Sequence, residues 1–250
     1  SLLGLGLYAV STACTLLIPI NCSRGHLPGW NVLREFWADI KFFMVHVDAR
    51  CSVIASAFFW TVSNILRLAL FVWAPRALGL VGNKPVSLLM ALIGVGIGIG
   101  AMVAPRCVSI QTHRRVIWFG LLMGVGVIGL SYVHTLSVAT VMILAVGVLS
   151  GLYIVPVNAL NEYLGDRTVG AGRATTVQNF AENTFMLVGT GGYSLAENMS
   201  LPVDATVKLC GIALLGFMAF LAFFRRGVPV ALNPEPACTP YLEPANSEEG

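Results

Sequence analysis

The 250-residue chain is 56% hydrophobic and 11% charged, with a mean hydropathy of +0.80, where a soluble domain carries about 25% charged residues. This composition marks an integral membrane protein, and the net charge of +3 reflects membrane orientation, so no nucleic-acid partner is needed to explain it. Because lipid leaves exposed backbone groups unsatisfied, the apolar runs must be helices; the alternating pattern of a membrane β-barrel is absent.

Seven candidate spans follow in chain order, at residues 2–20, 51–74, 86–104, 116–133, 136–158, 170–196 and 206–224, near the roughly 20 helical residues that cross a bilayer core. The first run has no initiating Met, basic n-region or small-residue cleavage site, so it reads as a true span opening a fragment rather than a signal peptide. Residues 21–50 form a linker. Within it, WNVLREFWADIKFFMV (30–45) places Trp30, Leu33, Trp37 and Ile40 near one helical face, the pattern of a helix lying in the membrane interface. Residues 51–226 hold the remaining spans. The tail at 227–250, rich in proline and then acidic, reads as disordered.

Lys and Arg set the orientation, because cytoplasmic loops are enriched in them. One side collects Arg24, Arg34, Lys41, Arg50, Arg106, Arg114, Arg115, Arg167, Arg225 and Arg226, and the other only Arg76, Lys84 and Lys208. The richer side is cytoplasmic, which places the C-terminus there. The six cysteines show no ligand spacing, so no metal, no other cofactor and no redox role is assigned. Four scattered histidines and the lack of a hydrolase motif exclude an enzyme. Gly124, Gly126 and Gly129 match GxGxxG, but inside an apolar run with no preceding strand. Gly94, Gly96, Gly98 and Gly100 form two overlapping GxxxG spacings, read as close helix packing or as a flexible helix.

The polar residues within the spans carry most of the functional signal. Gln178, Asn179, Glu182 and Asn183 lie within about 140° of arc on one helix. A carboxylate near the bilayer centre costs about 2.5 to 3.5 kcal/mol, so this face should meet protein or water. It either lines a pathway or joins helices by hydrogen bonds. Arg67 in the second run shares a face with Trp60, Asn64 and Phe71. It either snorkels to the interface or faces inward, to bind an anion or pair with Glu182. Asn158, Asn161 and Glu162 follow Pro156 near the cytoplasmic boundary and suggest either a gate or a helix end. Arg173 is expected to contact lipid phosphate or a helix end.

The segments LRLALFVWAPRALGL (66–80), VPVNAL (155–160), VGAGRATTVQNFAEN (169–183) and GGYSLA (191–196) closely resemble the bacterial lysophospholipid transporters of the major facilitator superfamily. The resemblance covers the first through the last span. It implies a major-facilitator-type helical bundle with about seven transmembrane helices in this chain, drawn from about twelve in two related halves: the family's sixth span at 1–20 and its C-terminal six-helix half at 51–226, with the N-terminal half missing.

It also implies flipping of lysophosphatidylethanolamine and related lysolipids from the outer to the inner leaflet of the bacterial inner membrane by alternating access. Membrane lipids and a functionally linked acyltransferase are the implied partners. Arg67 matches the family's seventh-helix arginine and Glu182 its eleventh-helix glutamate, both in the contacts that seal and open the path. Asn64, Asn158, Gln178, Asn179 and Asn183 are candidates for the same pathway. The acidic Asn161, Glu162 and Asp166 boundary and Arg173 depart from the family pattern. The alternative is a major-facilitator exporter of drugs or small solutes.

Overall fold

The computed structural model describes residues 6, 9–10, 12–14, 29–80, 82–107, 114–166, 168–199 and 202–224. All regular structure among them is helical, so the all-α expectation holds for these residues. The chain divides into two compact units, Ser1–Ala38 and Asp39–Gly250. In the first unit, residues 6, 9–10 and 12–14 are helical, as is its end, where α1 (Gly29–Val45) begins. The second unit takes up the rest of α1 and holds α2 (Val47–Leu78), α3 (Asn83–Cys107), α4 (Arg114–Leu130), α5 (Leu136–Asp166), α6 (Ala171–Asn198) and α7 (Val203–Phe224).

The expected count of membrane-crossing helices needs correction. Among the described residues, four helices are long and apolar enough to cross a membrane, at Ala49–Leu78, Lys84–Cys107, Leu136–Gly165 and Val203–Phe223, not about seven. The shortfall has identifiable causes. The apolar run expected at 116–133 forms a helix of 17 residues, about 25 Å long at 1.5 Å per residue, short of a core of about 30 Å. At 28 residues, α6 is long enough, but Thr175, Thr176, Gln178, Asn179, Glu182, Asn183 and Thr184 make it too polar. Most of the run at 2–20, like the tail at 227–250, lies outside the described residues.

Local chemistry explains where α2 stops. Gly79 at its C-cap adopts a left-handed conformation with φ 64°, which glycine enters without a Cβ penalty. Arg76 in the last turn complements the negative end of the helix dipole. α5 continues through Pro156 to Asp166 although that residue has no N–H to donate. It thereby keeps Asn158 and Asn161 on a helix rather than in a loop.

Within the second unit α2 packs against α5, α6 and α7, α4 packs against α5 and α7, and α3 lies along α5. Phe59, Leu70 and Trp73 of α2, Tyr153 of α5 and Leu214 and Met218 of α7 are almost fully buried. Phe58 stacks on Phe217 at 4.1 Å between ring centroids, and Phe59 meets Tyr153 at 5.5 Å. Leu88, Met102, Trp118, Leu187 and Phe223 are exposed, as lipid-facing side chains are in a membrane protein.

α3 and α5 approach each other closely, and glycines on both sides allow it. A Cβ on Gly96 would lie 2.7 Å from the Leu144 carbonyl oxygen and 2.9 Å from Gly147 Cα, and one on Gly100 would lie 3.0 Å from Gly151 Cα. Gly94 and Gly98 meet nothing within 4 Å. Only one of the two overlapping GxxxG patterns is therefore at the contact. Its counterpart is a second one, Gly147 with Gly151, that the reading of α3 alone did not use.

Candidate functional site: a polar cluster between three helices

A hydrogen-bonded cluster lies where α2, α5 and α6 meet. Ser56 contributes a hydroxyl from α2, Asn158 and Asn161 contribute amides from α5, and Gln178 and Glu182 come from α6. Gln178 and Glu182 are four residues apart and so share a helical face. Ser56, Asn161, Gln178 and Glu182 are all buried, and Asn158 is half-buried.

Gln178 is the hub. Its Nε2 donates toward Glu182 Oε1 at 2.7 Å, Asn158 Oδ1 at 2.9 Å and Ser56 Oγ at 3.1 Å, while its Oε1 accepts from Asn161 Nδ2. The Ser56 hydroxyl donates to Glu182 Oε1. One turn earlier on α2, Ser52 ties that helix to α5 through the Val157 carbonyl oxygen at 3.1 Å. The Asn161 side-chain oxygen Oδ1 is enclosed and has no partner among the described residues.

The other candidates separate by position. Asn64 donates to Thr190 Oγ1 on α6 at 2.9 Å, a second α2–α6 link farther along both helices. Asn179 and Asn183 are exposed, with Asn183 Nδ2 donating to the Asn179 carbonyl oxygen at 2.7 Å. The polar face of α6 thus splits: one side is buried in the cluster and the other is open.

Arg67 is exposed and lines a small cleft with Trp60, Ser63, Ile97 and Ser150. The pairing of Arg67 with Glu182 is not formed here. Glu182 is level with Ser56, and Arg67 lies eleven residues farther along α2, about 16 Å at the helical rise. Ser52 and Ser56 were not singled out from the sequence, although their i, i+4 spacing places them on one face of α2.

Arg173 has a protein partner that the sequence did not indicate. It grips Asp39 of α1 with two hydrogen bonds, Nε to Oδ2 at 2.7 Å and Nη2 to Oδ1 at 2.6 Å. Asp39 is buried, whereas the Arg173 side chain is 44% exposed. Removing the arginine strands a buried carboxylate, at a cost of about 1–3 kcal/mol once solvent screening of the exposed partner is allowed for. Arg173→Ala should lower the unfolding temperature in detergent, and the swap Asp39→Arg with Arg173→Asp should recover most of the loss.

Membrane-length apolar helices around a buried polar cluster define a multi-pass membrane protein. The chain is 41% identical over 174 residues to the lysophospholipid transporter LplT of Enterobacter sp. (strain 638), covering 70% of this chain and 42% of that protein. It is 36% identical over 199 residues to LplT of Escherichia fergusonii, covering 78% and 50% respectively, and 34% identical over 223 residues to that of Citrobacter koseri, covering 88% and 56%. No family model and no solved structure matches the chain.

The resemblance read from the motifs stands: the chain is a homologue of the lysophospholipid transporters of the major facilitator superfamily. It spans about half the length of the curated relatives it matches. Those relatives are named as lysophospholipid transporters.

Proposed function

We propose that this chain takes part in lysophospholipid transport, moving lysophosphatidylethanolamine and related lysolipids from the outer to the inner leaflet of the bacterial inner membrane by alternating access. The observation that carries the reading is the 41% identity to a protein named as a lysophospholipid transporter. The geometry supports it: a buried carboxylate and three amides placed among apolar helices offer a polar headgroup partners that hydrocarbon cannot.

In this reading Glu182, Gln178 and Asn158 lie on the headgroup route, with Asn179 and Asn183 on the open side of α6. Arg67 and Asn64 serve the opposite end of α2, while Gly96 and Gly100 hold α3 against α5. Residues 51–226 are the transporting part, and residues 21–50 link it to the span at 1–20 and to the family's other half. The Lys and Arg distribution supports a cytoplasmic C-terminus, with the tail at 227–250 on that side. An acyltransferase that restores the second chain consumes the delivered lysolipid.

Saturable uptake of labelled lysophosphatidylethanolamine into proteoliposomes, competed by unlabelled lysolipid, tests the reading. Uptake of amphiphilic drugs without any of lysolipid would replace it with a small-solute exporter.

A further inference from the structure

We propose that Ser56 is a positioning residue for Glu182: its hydroxyl holds the carboxylate against α2 by a bond that can be released without stranding the hydroxyl. The inference rests on the transport reading above, in which Glu182 lies on the headgroup route.

A serine or threonine inside a helix commonly turns its hydroxyl back on the carbonyl oxygen four residues earlier. Thr61, Thr140, Thr184 and Thr190 do so, donating to Ala57, Leu136, Phe180 and Met186. Ser52 and Ser56 donate to other helices instead. Ser52 reaches the Val157 carbonyl oxygen at 3.1 Å and pins α2 to α5. Ser56, one turn farther on, is fully buried, and its hydroxyl donates to Glu182 Oε1 on α6.

The same hydroxyl has a second acceptor within reach, Asn158 Oδ1 on α5 at 3.3 Å. A hydroxyl carries one proton, so it serves one of the two at a time. The bond to the carboxylate is charge-assisted and therefore the stronger, which keeps Glu182 in the arrangement seen. When Glu182 leaves, rotation about the Cβ–Oγ bond turns the proton to Asn158, while Gln178 Nε2 still lies 3.1 Å from Ser56 Oγ as a donor. The buried hydroxyl stays satisfied throughout. Freeing the carboxylate from α2 then costs the difference between two hydrogen bonds rather than the whole of one.

The test uses the full chain carrying Ser56→Cys, which keeps the shape and replaces the O–H with a weak S–H donor, and Ser56→Ala as a second variant. Two quantities are read. The first is the infrared carboxyl band of Glu182, identified as the band that Glu182→Gln removes. The second is uptake of labelled lysophosphatidylethanolamine into proteoliposomes, per amount of folded protein. In both Ser56 variants the band should shift, and uptake should fall about tenfold, the loss expected for one hydrogen bond to a charged group.

An unshifted band in both variants overturns the proposal, because Ser56 then does not hold the carboxylate. A shifted band with undiminished uptake overturns it as well, since the placing of Glu182 by Ser56 would then have no bearing on the path. Failure of the transport reading is distinct: the unaltered protein then takes up no lysolipid, whatever the band does.

Discussion

Replacing Gly151 with valine should prevent α3 and α5 from closing and give the largest loss of stability of any single change considered. A Cβ at that position would lie 2.7 Å from the Ala101 amide nitrogen and 2.9 Å from the Gly100 carbonyl carbon, both backbone atoms that cannot rotate away. The helices must part, and in a membrane their association depends on close van der Waals contact rather than on exclusion of water. Overpacking costs about 1–3 kcal/mol where side chains can yield, and here the obstacle is backbone, so the upper end or more is expected. Gly100→Val should behave alike.

Gly98 is the internal control. Nothing lies within 4 Å of a Cβ there, so Gly98→Ala should be neutral or slightly stabilising, by about 0.5–1 kcal/mol from improved helix propensity. Thermal unfolding of detergent-purified protein, with the monodisperse fraction as a second readout, separates the two outcomes. Equal stability of the Gly151→Val and Gly98→Ala proteins would show that the α3–α5 contact is not set by these glycines.

The second large effect is expected at Gln178. Its amide serves four neighbours at once, Ser56, Asn158, Glu182 and Asn161. Leucine in its place keeps the volume and removes every one of those contacts. A buried group left without its partner costs about 1–3 kcal/mol, although hydrogen bonds between membrane helices average only about 0.6 kcal/mol.

Gln178→Leu should therefore destabilise by about 2–4 kcal/mol, and Ser56→Ala, which removes one hydroxyl, by clearly less. The ordering is the informative result. Ser56→Ala costing as much as Gln178→Leu would mean that the hydroxyl, not the amide, organises the cluster.

The sequence carried the helical class, the polar residues and the family resemblance, because each depends on composition and local spacing. Gln178 and Glu182 could be placed on one helical face from periodicity, and Gly96 and Gly100 on another. What periodicity could not supply was the neighbour across each face. Ser56 is an unremarkable hydroxyl in an apolar run until α6 is laid against α2, and Gly147 and Gly151 matter only because Gly96 and Gly100 oppose them.

A pair between Arg67 and Glu182 is one of the readings that charge complementarity and the family resemblance leave open for Arg67, and in this structure the levels at which α2 and α6 meet hold the two residues apart. The number of membrane-crossing helices was overestimated for a related reason. The polarity that made α6 interesting also lowers its hydropathy, and the length of α4 was extended past Leu130, where its helix stops.

The most direct test of the central claim, that the polar cluster of α2, α5 and α6 belongs to a lysolipid pathway, is the flux of labelled lysophosphatidylethanolamine from the outer leaflet of spheroplasts. Unaltered protein, Glu182→Ala and Arg67→Ala would be compared at matched expression. The account predicts measurable flux for the unaltered protein and loss of most of it, about tenfold or more, in both variants. Folded, membrane-inserted protein that moves no lysolipid would contradict the substrate assignment, and full flux in Glu182→Ala would remove the cluster from the path.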